Sequence, residues 1–303
     1  MPGALADAVQ LSWNLVEDIQ QLFAYHFMEN AYLAGTLVAV VAGVVGYFMV
    51  LRGQSFAGHT LAKVGFPGAL GAALIGVSPV IGLIAFGIGA ALLIGALSAR
   101  EVKGQDVAVG MVLAFSLGLG LLFVRLSHFN NTTGVYSLLF GSVLGISDQD
   151  IGPIMLTTCI TLALLSAIAR PLLFASIDPE VAAARGVPVR LLSTLFLFLL
   201  ALAVAEAVQF VGALLIFALL VTPAATAQQL TTRPALAVGL SVVLALLFMW
   251  FGLAIGYFTP YPSSFFITSF AFGTYALVRI ARSGSGWLGR SRHQVQAKGE
   301  ALS

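Results

Sequence analysis

The segment SFAGHTLAKVGFPGALG, from Ser55 to Gly71, places a histidine and a lysine four residues apart in an apolar stretch. On a helix this spacing predicts one polar stripe, made of Ser55, His59, Lys63 and Pro67. An ionisable side chain near the middle of a bilayer costs about 3 kcal/mol or more, so such residues usually face a bundle interior or an aqueous path. We therefore expect the four stripe residues to line or gate a path.

Two groups of this stripe differ in what they could do with a cation. The neutral imidazole of His59 is a good ligand for a divalent ion such as zinc, whereas a protonated Lys63 repels a cation. Pro67 has no N–H, so we expect the Lys63 carbonyl oxygen to be free as a possible further ligand. His59 is the candidate metal contact, and a hydrogen-bonded packing role is the alternative for it.

Glu206 is the only acidic residue predicted in the interior of a membrane span, which makes it the candidate partner of Lys63. Such a pair could gate the path, or it could couple transport to protons in a secondary transporter. Simple contact with water near the outer end of the span is the alternative for Glu206.

In another span, Pro223 removes a backbone donor between Thr222 and Thr226, and we expect a hinge or kink in the path there.

Composition assigns the chain to the membrane. Of its 303 residues, 59% are hydrophobic and only 9% are charged, and its mean hydropathy is +1.01. Soluble domains carry roughly 25% charged residues. The single cysteine, Cys159, excludes an internal disulfide and argues against a thiolate metal site. The first residues lack the pattern of a cleaved signal peptide, so we expect insertion through the spans themselves.

The apolar runs predict an all-α, polytopic protein with about nine transmembrane helices, since none shows the alternation of a barrel strand. The predicted spans cover residues 31–51, 55–77, 80–99, 106–126, 151–169, 191–208, 211–228, 235–257 and 265–280.

Four further segments complete the predicted organisation, in which residues 31–282 form the transmembrane domain. The pattern of residues 1–30 predicts an amphipathic surface segment. Residues 135–146 are too few to span a membrane, and they predict a re-entrant or surface helix. Residues 171–190 are a polar loop with three prolines. Residues 283–303 are predicted to be a mobile, basic tail.

The basic residues predict the orientation. With the N-terminus outside and the C-terminus in the cytoplasm, all of the 14 basic residues except Arg125 and Lys63 lie on the cytoplasmic side. This segregation requires an odd number of spans and places the loop 171–190 in the cytoplasm. We therefore expect a multi-pass protein of a cell membrane.

Four pieces of the chain, taken together and in this order, resemble the permease subunits of bacterial ABC importers for zinc, manganese and iron. The resemblance extends from about Ala31 to Ile280. The pieces are Leu51-Arg52 with Ser55-x-x-Gly58 and Phe66-Pro67-Gly68, then Leu139-Phe140-Gly141-Ser142, then Asp178-Pro179-Glu180 with Ala184-Arg185-Gly186-Val187, and finally residues 211–215 (VGALL) with residues 220–227 (LVTPAATA).

The resemblance implies a type II importer permease in the bacterial inner membrane, and not an enzyme. Such a permease works as a homodimer with two cytoplasmic ATP-binding subunits and receives its ion from an extracytoplasmic metal-binding protein. Its metal ion is a substrate and not a bound cofactor, and it has no nucleic-acid partner. The chain itself has no G-x-x-x-x-G-K-[ST] phosphate loop. The resemblance also implies that the coupling helix for the ATPase contains Asp178, Glu180, Arg185 and Gly186.

The chain departs from the family at the polar stripe. Where His59 and Lys63 stand, metal permeases of this family usually carry an aspartate and a histidine. The expected cargo is a divalent metal ion, with zinc first and manganese second. The altered pair keeps open a chelated metal or a haem-like solute as cargo, and a proton-linked secondary transporter is a further alternative. A membrane-embedded enzyme is disfavoured, because no span contains a nucleophile, base and orienting group together.

Overall fold

The computed structural model describes residue 22 and residues 24–98, 105–126, 145–212 and 216–300, with the side chains of 209–211 and 283–300 excluded. These residues form ten helices. They are α1 (His26–Leu51), α2 (Ser55–Leu74), α3 (Pro79–Leu97), α4 (Gln105–Leu126), α5 (Asp148–Ile177), α6 (Pro179–Ala184), α7 (Val189–Val211), α8 (Ile216–Leu230), α9 (Pro234–Phe258) and α10 (Ser263–Glu300).

Each predicted span overlaps one of these helices, and the short helix α6 lies in the predicted polar loop. Seven of the ten described helices are long and apolar enough to cross a membrane: α1, α3, α4, α5, α7, α9 and the part of α10 up to Arg282. Helix α8 is apolar but has only 15 residues, and α2 has 20 residues but is not one of the seven. The all-helical membrane fold is confirmed, and nine crossings stay a prediction.

Helix α1 lies at the centre of the bundle and packs against α5, α7, α8 and α9. Small residues allow this close packing, since Ala34, Ala39 and Ala42 are almost completely buried. Ser241 of α9 donates a buried hydrogen bond of 2.8 Å to the carbonyl of Gly43 in α1. The bulky part of the core comes from α7, where Phe196, Leu197 and Leu200 are almost fully enclosed.

Polar contacts show that α1 and α5 run parallel. At their first residues, His26 of α1 lies 2.9 Å from a carboxylate oxygen of Asp148 in α5. At the other end, Arg52, which directly follows α1, donates a hydrogen bond of 3.1 Å to the hydroxyl of Ser176 in the last turn of α5. The sequence prediction agrees. Four predicted crossings separate the start of α1 from the start of α5, so both helices start on the same side of the membrane. Helix α6 follows α5 directly and therefore lies at the Arg52 end of the bundle.

Several predicted boundaries differ from the structure. The prediction ends the fifth span at residue 169, but α5 continues through Pro171 to Ile177. The reason is packing. Leu172 and Ala175 are buried against neighbouring helices, and the stabilisation from this packing outweighs the loss of the backbone donor at Pro171. Helix α1 begins at His26, so the last residues assigned to the surface segment belong to a span.

Other predicted segments are tested little or not at all. The tail is not separated from the last span, since α10 is helical up to Glu300. Almost all of the proposed surface segment 1–30 before His26 lies outside the described residues. The same holds for the proposed re-entrant helix up to residue 144, and the described residues Gly145 and Ile146 are not helical.

Candidate functional site

The polar stripe lies on the most accessible side of an otherwise buried helix. In α2, Ser55, His59 and Lys63 are only partly buried, whereas the residues between them are mostly enclosed. The exception is Phe56, which is 42% exposed. Within a single chain, the stripe therefore faces out of the bundle and is open to lipid, to a path or to a second copy.

Pro67 does not belong to this stripe, which corrects the prediction. It is buried, and it lies near Gly120 of α4. A step of four residues turns an α-helix by about 400°, so the stripe drifts by about 40° at each step and by about 120° at Pro67. Phe66, eleven residues after Ser55, is partly buried, and its ring also lies near Gly120 of α4.

His59 has an aromatic neighbour on α8. Its ring meets the ring of Phe217 edge to face, with 5.2 Å between the ring centroids. This contact orients the imidazole ring, and no hydrogen bond from the described residues to a nitrogen atom of His59 accompanies it. Both nitrogen atoms of His59 are therefore compatible with binding a ligand from the open side.

The candidate pair of Lys63 and Glu206 does not form in this structure. No acidic group of the described residues lies within 4.0 Å of Lys63. Glu206 is instead 98% buried inside the bundle and accepts a hydrogen bond from the hydroxyl of Thr158 in α5. Its second carboxyl oxygen makes no hydrogen bond among the described residues. Glu206 therefore links α7 to α5, away from the stripe, and its side chain does not reach the surface of the bundle.

Removing the Thr158 hydroxyl is expected to destabilise the chain. Thr158→Val removes the hydrogen bond from Thr158 to the buried Glu206 carboxyl, which costs about 1 kcal/mol for a hydrogen bond between membrane helices. Thr161→Val, one turn further along α5, is the control, because the Thr161 hydroxyl is also buried but has no described partner. Melting temperatures in detergent should fall for Thr158→Val only. Equal melting temperatures for the two variants would show that the Thr158 bond is not stabilising.

Pro223 lies in the interior of α8 and is buried, and the helix continues through it from Ile216 to Leu230. The missing N–H of Pro223 leaves the carbonyl of Leu219 without its helical donor. One turn further on, Thr226 donates a hydrogen bond of 2.7 Å to the carbonyl of Thr222. A hinge role for this residue stays a prediction.

The segment around α6 forms a small exposed unit with its own anchors. The Asp178 carboxylate accepts a hydrogen bond of 3.0 Å from the backbone N–H of Val181 and so caps the helix. Ala182 is fully buried and holds α6 on the bundle. Gly186 ends the unit with a φ of 80°, a conformation that other residues rarely adopt.

The outer face of this unit carries two of the predicted coupling residues. Glu180 and Arg185 are exposed, and the Arg185 guanidinium lies 6.0 Å from the centre of the Phe174 ring. Val181 adds an apolar side chain that is 43% exposed. A short helix with charged and apolar groups on its free side is a suitable surface for contact with another protein.

Two polar groupings of the structure were not predicted from the sequence. Asp148, at the start of α5, lies 2.6 Å from the side-chain nitrogen of Asn30 and also contacts His26. At the other end, Arg52 and Gln54 line a cavity of about 600 Å³. These contacts join residues that are far apart in the sequence, so no local pattern predicts them. The only sequence signal was the lone arginine after the first span, Arg52, which belongs to the grouping at the cavity. No group of three or more metal-ligating side chains occurs among the described residues.

Comparison with known proteins assigns the family. Residues 24–281 match the family described as "ABC 3 transport family". The chain belongs to this family. It is 34% identical to "Manganese import system permease protein ScaB" of Streptococcus parasanguinis, over 80% of this chain and 86% of that protein. It is also 34% identical to "Manganese transport system membrane protein MntC" of Listeria monocytogenes, over 71% of this chain and 76% of that protein.

A solved structure extends this result to the fold. "PsaBC from Streptococcus pneumoniae in complex with Fab" has a TM-score of 0.77 and 31% sequence identity, and it covers 87% of this chain and 95% of that chain. The predicted ABC permease family is therefore confirmed. Both of these relatives are named after manganese systems, and neither name refers to zinc.

Proposed function

We propose that this chain is the permease subunit of an ATP-driven importer for a divalent metal ion, with manganese as the first candidate cargo. The observation that supports the role most directly is the accessible stripe of Ser55, His59 and Lys63 on an otherwise buried helix. A lysine and a histidine facing lipid tails would be costly. A second copy of the chain that covers this side would turn it into a path between two permeases.

The cargo assignment rests on relatives and on ligand chemistry. The sequence favoured zinc because of the His59 imidazole, but the curated relatives are manganese permeases. Manganese prefers oxygen ligands more than zinc does, and the stripe offers the hydroxyl of Ser55 beside His59. A small ligand set binds weakly, which suits an ion that must leave the path again. Manganese therefore precedes zinc in our proposal, and a chelated metal stays the alternative.

The proposed machine contains a homodimer of this chain, two cytoplasmic ATPase subunits and an extracytoplasmic metal-binding protein. ATP-driven closure of the ATPases would move α6, and the two permeases would alternate between outward and inward access. The proposed orientation places the N-terminus outside and α6 in the cytoplasm, as the distribution of basic residues predicts.

Uptake into proteoliposomes tests this function. The reconstituted complex should accumulate manganese when ATP is supplied to the ATPase subunits, and less of zinc, iron or a metal chelate. Accumulation of any of these without the ATPase would instead support a proton-linked secondary transporter. Preference for the chelate over the free ions would overturn the cargo assignment.

His59→Ala is expected to reduce manganese-stimulated ATP hydrolysis by about tenfold, which corresponds to the loss of one ligand contact worth about 1.4 kcal/mol. Phe56→Ala is the control, because Phe56 is exposed on the same helix and carries no ligand atom. Both variants should retain the ATPase subunits during purification. An unchanged manganese response in His59→Ala would remove this residue from the path.

A further inference from the structure

The cavity of about 600 Å³ lies at the end of the bundle that carries α6, apart from the His59 stripe. Its walls come from the end of α1, the end of α3, the start of α4, the last turn of α5 and the start of α7. The polar groups that line it include Arg52, Gln54, Ser98, Ser176, Arg190 and Ser193. Its volume is within the range of small-ligand sites in proteins.

Arg52 is held in this cavity without a described counter-ion. Its terminal nitrogens donate to the hydroxyls of Ser176 and Ser193, and its Nε–H is buried and unpaired. The ring of Phe196 lies 5.6 Å from the guanidinium carbon. No carboxylate of the described residues lies within 4.0 Å of Arg52, and the described lining contains neither Asp nor Glu. Burial lowers the pKa of Arg52, which indicates that its charge is poorly compensated.

Two further polar groups of the lining have no partner among the described residues. Gln54 is 94% buried, and its side-chain oxygen makes no hydrogen bond. The hydroxyl of Ser98 is also buried and unpaired. A buried polar group without a partner costs about 1–3 kcal/mol, so a polar ligand that bonded to these three groups would be favoured in the cavity. Rotation of the Gln54 amide by 180° presents its N–H₂ group, so all three can act as donors.

Arg190 adds a second positive charge to the same cavity. It belongs to the first turn of α7 and is exposed, so it is accessible from the aqueous end of the bundle. Three carboxylates adjacent in sequence to lining residues, Asp106, Asp178 and Glu180, are not among the lining residues. Two guanidinium groups together with hydroxyl and amide donors are the donor set that phosphate groups prefer.

We propose that this cavity binds a phosphate group, supplied by the headgroup of an anionic phospholipid or by a free phosphate. Bound phosphate would neutralise Arg52, satisfy its Nε–H, and lie beside Pro179 at the start of α6. The site would thereby join the end of α1 to the proposed coupling segment. Phosphate binding is measured without transport. A failure to bind phosphate is therefore distinguishable from a failure of the proposed metal import.

The test uses the full-length chain, stripped of lipid in a neutral detergent. Phosphatidylglycerol, phosphatidylcholine and inorganic phosphate are titrated separately, and the melting temperature is recorded. Saturation at about 100 times the Kd should raise the melting temperature of the unchanged chain by about 4 °C. A rise with phosphatidylglycerol alone identifies a lipid headgroup, and a rise with inorganic phosphate as well identifies phosphate itself. No rise with either, or an equal rise with phosphatidylcholine, overturns the proposal.

Three variants locate the binding. Arg190→Gln should weaken binding by about tenfold or more without disturbing the fold, because Arg190 is exposed. Gln54→Met removes an amide whose oxygen has no described partner, and it should also weaken binding. Arg233→Gln is the control, since Arg233 is exposed and does not line the cavity. Unchanged affinity in both Arg190→Gln and Gln54→Met would show that any stabilisation by anionic lipid arises elsewhere on the chain.

Discussion

Glu180→Arg is expected to separate the permease from its ATPase subunits and to abolish ATP-driven uptake. Glu180 lies on the free side of α6, which rests on the bundle through the buried Ala182. Reversing its charge therefore changes the contact surface but not the anchors of the helix. Like charges facing each other at an interface cost several kcal/mol, so affinity for the ATPase should fall by about 100-fold or more. Copurification of the tagged chain with the ATPase measures this loss.

Two controls accompany this experiment. Glu180→Gln keeps the size of the side chain and should cause a smaller loss than Glu180→Arg. Arg233→Glu reverses an exposed charge in the connection between α8 and α9 and should leave the ATPase bound. The melting temperature of the isolated permease should be the same for all three variants. Full retention of the ATPase by Glu180→Arg would show that α6 is not the coupling segment at this residue.

Gly82→Leu is expected to prevent folding of the chain. Gly82 of α3 crosses Gly68 of α2, and a Cβ atom added at Gly82 would overlap the carbonyl oxygen of Gly68. A Cβ atom at Gly68 would lie 2.6 Å from the Cβ atom of Phe86, so neither side has space. The obstacle is backbone, which cannot move aside without separating the two helices. The cost should be about 3 kcal/mol or more.

Gly89→Leu is the matched control for this prediction. Gly89 lies on the same helix, and a Cβ atom there would meet no atom within 4 Å. Gel filtration in detergent should give a monodisperse peak for Gly89→Leu and aggregated or degraded protein for Gly82→Leu. Equal yields and equal melting temperatures would mean that α2 and α3 do not cross at these glycines. Because α2 carries His59 and Lys63, this crossing also positions the proposed path.

The helices themselves were predictable, because the length of an apolar run and the charges at its ends are local properties. Helix α3, for example, lies within one residue of its prediction at the first end, where Pro79 begins the helix. Proline was a poor guide to helix ends elsewhere. Helix α5 continues through Pro171 because neighbouring helices pack on Leu172, and no local rule contains that contact.

The candidate site was predicted in part. The four-residue spacing of Ser55, His59 and Lys63 was enough to place them on one face of α2, and the structure shows that face as the accessible one. The same rule failed for Pro67, because an α-helix turns about 40° too far at each step of four. The candidate partner Glu206 was also wrong, since an acidic residue within a span gives no indication of which neighbouring helix it meets.

The sequence by itself determined that the chain is an all-helical membrane protein, which segments are helices, and that the stretch from Asp178 to Gly186 is a separate polar unit. Tertiary structure alone decided that Glu206 bonds to Thr158, that Gly82 crosses Gly68, and that Arg52 meets Ser176 and Ser193. The physical reason is the range of the interactions. Hydropathy and capping act within a few residues, whereas the contacts of Arg52 join residues 124 and 141 positions apart, which only the packing of whole helices can bring together.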